Sequence, residues 1–101
     1  METIYRGATY TATINSTVLL TEAALFNHAT KKSIVATLEV QSSGNEQRIY
    51  ALKLSASDTK AAQVGVYDLE LYSGSATEQS YKMEKHISNY ATVIDTSKAN
   101  S

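Results

Sequence analysis

The sequence predicts an all-β domain, an Ig-like antiparallel β-sandwich of about seven short strands with one or two short helical turns. Three observations carry this. Apolar and polar residues alternate with a period of two through most of the 101 residues. Turn-forming clusters such as Asn15-Ser16, Ser42-Ser43-Gly44-Asn45 and Ser73-Gly74-Ser75-Ala76 interrupt that alternation at short intervals. Tyrosine, a strand former, occurs seven times against one phenylalanine and no tryptophan. A chain of this size holds one core, so the reading is a single domain over residues 1–94 and a polar tail over 95–101.

The first strand signal runs from Thr3 to Ile14. Ile4, Ala8, Tyr10, Ala12 and Ile14 share one face, with Tyr5 and the threonines on the other. Arg6-Gly7 interrupts the apolar face, so a bulge or bend there splits off a short edge piece. Asn15-Ser16 then reads as a turn. Thr17 to His28 is ambiguous: Val18 to Leu20 fits a short strand. Thr21 to Phe26 has a capping residue followed by good helix formers, which suits one or two helical turns. Leu20, Ala24 and Leu25 would plug one end of the sandwich. Asn27 to Lys32 is polar and reads as loop.

Alternation returns from Ser33 to Gln41, with Ile34, Ala36, Leu38 and Val40 inward. The turn at Ser42 to Asn45 joins it to Glu46–Ser55, where Tyr50, Leu52 and Leu54 point inward, and this is the clearest hairpin in the chain. Ser55, followed three residues later by Asp58, resembles a capping box and opens a helical turn through Ala62. That turn crosses to the other sheet, and Gly65 lets the chain enter the strand Val64–Ser73. Tyr67, Leu69 and Leu71 then face inward, with Asp68 and Glu70 outward. Thr77 to Ile87 is a further predicted strand with Tyr81 and Met83 inward. Asn89-Tyr90 turns into a last short strand, Ala91 to Ile94.

The composition argues against most chemistry. Nine basic and ten acidic residues are interleaved for a net charge of −1, so no basic stripe is available to grip nucleic acid. No apolar run approaches the roughly 20 residues that span a bilayer, so no membrane partner is expected. The N-terminus lacks the pattern of a secretory leader. Cysteine is absent, which excludes disulfides, thiolate zinc sites and a cysteine nucleophile. His28 and His86 fall in different elements, neither with a partner at metal-binding spacing, and both read as solvent-facing. Carboxylates come singly on outward strand positions. Neither a Gly-x-Ser-x-Gly elbow nor a glycine-rich phosphate loop occurs. The expectation is therefore no enzyme, no cofactor and no metal site.

Four segments carry a more specific likeness. They are Arg6-Gly7-Ala8-Thr9 with the strand Tyr10–Ile14, Leu20-Thr21-Glu22-Ala23-Ala24, Leu54-Ser55-Ala56-Ser57-Asp58-Thr59, and Gly65-Val66-Tyr67-Asp68-Leu69-Glu70-Leu71. Together, over roughly Ile4 to Ile94, they resemble the small Ig-like domain of tailed-bacteriophage structural proteins and are similar to the N-terminal domain of baseplate upper proteins. The chain departs from that pattern at Ala8, where the family has an acidic residue, and at Glu22-Ala23, where it has glycine.

The resemblance implies a component of the virion that docks onto other capsid or tail proteins and onto copies of itself. With no receptor-binding region after Ser101, it points to a stand-alone auxiliary protein decorating the capsid. A tail, baseplate or fibre-attachment adaptor is the alternative, and a non-viral Ig-like binding module the third reading. Candidate interface residues are Tyr5, Tyr72 and Tyr90, with Asp95, Lys98 and Ser101 of a tail pinned by a neighbouring subunit, together with edge-strand backbone.

Overall fold

The computed structural model describes residues 1–44, 47–75, 77 and 79–95. The protein is all-β with one short helix: β1 (Glu2–Tyr5), β2 (Tyr10–Ser16), β3 (Glu22–Asn27), β4 (Lys32–Ser43), β5 (Arg48–Leu54), α1 (Ala56–Ala61), β6 (Gly65–Ser73) and β7 (Lys82–Ile94). The strands form one seven-stranded mixed sheet, ordered β1-β7-β6-β3-β4-β5-β2, that curls until it nearly closes into a barrel.

The first strand signal divides where the arginine and glycine interrupt it. Gly7 adopts φ 84°, and the N–H of Ala8 returns to the carbonyl of Tyr5 at 3.1 Å. The two pieces then go to opposite edges of the sheet. β2 pairs antiparallel with β5, from Tyr10↔Leu54 to Ser16↔Arg48, so Asn15-Ser16 continues the strand instead of turning. β1 pairs with β7 in parallel, Glu2↔Ala91 to Tyr5↔Ile94, which is a departure from the all-antiparallel expectation. Ala8 lies exposed in the intervening turn and not on the inner face.

β4 makes the corner of the sheet. Its first half, Lys32 to Ala36, pairs with β3, and its second half, Thr37 to Ser43, pairs with β5. The inward phase of Ile34, Ala36 and Leu38 is as expected. Val40 is not inward: the register shifts between Val40 and Ser42, and Val40 is 58% exposed beyond the end of the core. Asn45 and Glu46, in the predicted turn and at the start of its partner strand, lie outside the described residues.

Thr21 to Phe26 is not helical. Glu22 to Asn27 is the strand β3, hydrogen-bonded on one side to β4 and on the other to β6. The local helix formers are overruled by two ladders and by a period-two burial pattern that puts Ala23, Leu25 and Asn27 inside. Leu20 still plugs the end of the core, where its N–H donates to the buried Tyr50 hydroxyl at 2.9 Å. Val18 and Leu19 are exposed and belong to no strand.

The capped helical turn after β5 forms as the sequence predicts, but it carries the chain from β5 to β6 within one curled sheet and not between two separate sheets. Ser55 caps α1 and receives the N–H of Asp58 at 3.0 Å, while Asp58 Oδ2 accepts the N–H of Ser55 at 3.1 Å. Thr59 is fully buried and does more than the pattern indicates. Its Oγ1 donates to the carbonyl of Ala8 at 2.7 Å and accepts the N–H of Gly7 at 3.0 Å, tying α1 to the β1–β2 turn. The core itself gathers Ile4, Ile14, Leu25, Leu52, Leu54, Leu69 and Val93 around Tyr50 and Tyr67.

β7 is one long strand, where a shorter strand, a turn and a second short strand were expected. It begins at Lys82, and Tyr81 precedes it. Met83 is 44% exposed and not inward, because the register of β7 on β6 shifts between Leu71 and Tyr72. Asn89-Tyr90 is not a turn but part of a bulge. Tyr67 pairs with Ala91 and Leu69 with Ile87, so Ser88, Asn89 and Tyr90 stand opposite the single residue Asp68, with Asn89 at φ 53°.

Candidate functional site

Asp68 is the centre of the main polar cluster. The expectation of an outward, solvated carboxylate fails here, since Asp68 is 1% exposed. The bulge of β7 arches over it, and the N–H of Asn89 donates to Oδ1 at 2.9 Å. Oδ2 accepts from Nε2 of His28 and from Nε2 of His86, each at 2.7 Å. His28 comes from the turn after β3 and His86 from β7, so the two histidines expected to stand apart converge on one oxygen. Both imidazoles remain about half exposed on their outer sides, 56% for His28 and 44% for His86. Phe26 meets the His28 ring edge to face, with centroids 5.6 Å apart.

Burial alone would raise the pKa of Asp68. The Asn89 N–H and the imidazoles of His86 and His28 outweigh it and hold the carboxyl below its ordinary value. The group is therefore an ionised buried acceptor, and each histidine donates its Nε2–H to it. With Oδ2 shared by two donors, the geometry is that of a clamp joining the β3–β4 turn to the β7 bulge. Among the described residues, no three histidine, aspartate or glutamate side chains are arranged to hold a metal ion.

A second feature is the seam where the barrel stays open. β7 pairs with β1 only over Ala91–Ile94, so on the side away from β6 its residues 82–90 face no strand among the described residues. Across the gap, β2 pairs among the described residues with β5 alone, so its outer edge faces no strand there either. Tyrosine hydroxyls bridge one end: the Tyr10 and Tyr90 oxygens lie 2.6 Å apart, and Tyr10 also donates to Glu2 Oε1 at 3.1 Å. Burial first, then these neighbours, push the Tyr10 phenol well up. Beyond the bridge two cavities open between the strands. One of about 240 Å³ is floored by Ile14, Leu71 and Ile87, with Thr13, Asn15 and Lys85 at its walls. The other, of about 280 Å³, continues past Ser16, Val18, Leu20 and Glu84.

The candidate interface residues are distributed over both ends of the sheet. Tyr5 is 43% exposed at the end of β1, opposite Ile94 in the ladder and so beside Asp95. Tyr72 lies towards the other end, half-buried, stacked on Tyr81 with ring centroids 5.2 Å apart and bonded to Glu70 Oε1 at 3.2 Å. Burial, then the Glu70 carboxylate, raise its phenol pKa. Tyr90 sits in the seam bridge. Lys98 and Ser101 lie outside the described residues.

The Asp68 cluster was missed because strand alternation assigns Asp68 to the face opposite Tyr67 and Leu69, without showing what covers that face. A signal was present in the chain: Ser88-Asn89 breaks the strand pattern, and Asn tolerates the positive φ of a bulge. A third cavity, of about 450 Å³, lies between α1 and the first half of β4 and is lined by Ile34, Val35, Ala61, Ala62, Gln63 and Tyr67 among others. Comparison with known protein families, with curated proteins and with solved structures finds no match to this chain.

Proposed function

We propose that this chain is a protein-docking module of Ig-like sandwich type serving as a structural component of a bacteriophage virion, an auxiliary protein that decorates the capsid. The docking part of the reading rests on one observation, the two unpaired strand edges facing each other along the open seam. Such edges present free backbone donors and acceptors, which proteins use for strand-by-strand association. The exposed Val18, Leu19, Val40 and Met83 add apolar surface outside the core.

The phage and Ig-like parts rest on the sequence motifs. Of these, Leu54 to Thr59 builds the capped crossover helix, and Gly65 to Leu71 builds most of β6, an interior strand between β7 and β3. Locating the protein in purified particles, by cryo-EM or immunogold labelling, tests the reading. Trimeric or hexameric copies over the shell lattice are the expected result. A ring around the tail axis would favour the adaptor reading. Absence from particles, with a purified monomer that binds a sugar or a soluble protein, would favour the non-viral module.

A further inference from the structure

We propose that the seam between β2 and β7 accepts an extended segment of a partner protein, which completes the barrel as an additional strand. The inference rests on the docking reading above and names the kind of partner that the site takes.

Direction comes from the strands that bound the seam. Tyr10 bonds to Tyr90, while Asn15 and Lys85 line the same cavity, so β2 and β7 run in opposite directions along the gap. β1 already pairs with the far end of β7, in parallel, over Ala91–Ile94. A segment lying upstream of β1 on that same edge runs parallel to β7 and antiparallel to β2, and reaches backbone groups on both. The two edges belong to one curled sheet and both face the gap, and paired strands lie about 4.8 Å apart, so a guest strand set at that spacing from each edge closes the barrel.

Side-chain chemistry comes from the cavity. Its floor is Ile14, Leu71 and Ile87, which suits an apolar residue at every second position of the guest. Of the charged residues at the seam, Glu84 is engaged by Ser73 and Lys82, and Lys85 stands at the walls of both cavities. An acidic residue on the guest opposite Lys85 complements it. The occupant is thus an extended chain with alternating apolar residues and one carboxylate, held by main-chain pairing.

An eight-residue peptide of alternating threonine and valine carrying one glutamate is a suitable probe. It is used both free, with a fluorescent label, and fused ahead of Met1 of the full chain, where the β1 register leads it along β7. The expected result is saturable binding of the free peptide, and an amide exchange slowed at least about tenfold at the edge-facing amides of 11–16 and 84–88 in the fusion. A matched peptide with proline at alternate positions shows neither effect, and Lys85→Glu weakens the free peptide several-fold at low salt. Unchanged exchange along both edges in the fusion overturns the proposal. So does protection that appears instead along the first half of β4, or protection of the seam that grows with concentration of the protein alone, which would make a second copy the occupant. Absence of the protein from virions overturns the particle assignment and leaves strand acceptance standing; a seam that rejects the strand in a protein found on virions overturns this inference alone.

Discussion

The carboxylate of Asp68 accepts the backbone N–H of Asn89 at 2.9 Å, so a side chain of β6 holds the β7 bulge in shape. The same carboxylate draws in His28 and His86. A buried charge of this kind is stable only while its donors are in place, because hydrogen bonds to a charged acceptor are what offset its desolvation.

Asp68→Ala is expected to cost about 2–4 kcal/mol, since it strands the Asn89 N–H and unties the bulge from the β3–β4 turn. His28→Ala and His86→Ala should each cost about 1 kcal/mol, because each is partly exposed and leaves the other donor behind. Urea unfolding of the three variants measures this. A neutral Asp68→Ala would show that the clamp contributes nothing to the fold.

Acid should weaken the same clamp. The folded pKa of Asp68 lies below its ordinary value, so the unfolded chain takes up this proton first as pH falls. The contribution is therefore complete above the ordinary carboxylate value, about 4, and is lost as pH drops from there through the folded value. The difference in unfolding free energy between wild type and Asp68→Asn should shrink as pH is lowered from about 5 to about 2. A difference that stays constant over that range contradicts the assignment.

Thr59→Val tests the tie between α1 and the β1–β2 turn. The shape is kept, but the Gly7 N–H and the Ala8 carbonyl lose their partner, for an expected loss of about 1–3 kcal/mol. Ser55→Ala, which removes the cap, should cost about 1 kcal/mol. Thermal unfolding should rank Thr59→Val at or above Ser55→Ala.

Gly74 leaves β6 at φ 77°, and a Cβ there would sit 2.9 Å from the backbone of Ser80. Gly74→Ala is expected to cost about 1–2 kcal/mol from the left-handed backbone alone, and more from the collision. Amide exchange should rise first in Tyr72, Ser73 and Lys82, the residues flanking this connection.

Tyr10→Phe and Tyr90→Phe should not be additive. The two hydroxyls share one bridge across the seam, so a double-mutant cycle is expected to return a coupling of about 0.5–1.5 kcal/mol. Zero coupling would mean that the bridge is incidental to closing that end of the barrel.

Local pattern carried a large part of the fold. The hairpin of β4 and β5, the break at Arg6-Gly7, the Ser55–Asp58 capping box and the inward set Tyr67, Leu69 and Leu71 follow from period-two alternation and turn chemistry, which act over a few residues. β3 was not legible, because Glu22 to Phe26 favours a helix locally and becomes a strand only between β4 and β6. The candidate site was less legible still. His28 and Asp68 are 40 residues apart in the chain, and nothing near either one announces the other.

By itself the sequence determined an all-β domain, most of its inward faces and a capped crossover, since these depend on the order of neighbouring residues. The tertiary structure alone decided that β1 and β2 part to opposite edges, that the sheet curls to leave a seam, and that two histidines meet on one buried carboxylate. Those outcomes depend on which strands pair across long stretches of chain, and pairing is settled by burial and backbone hydrogen bonding over the whole domain.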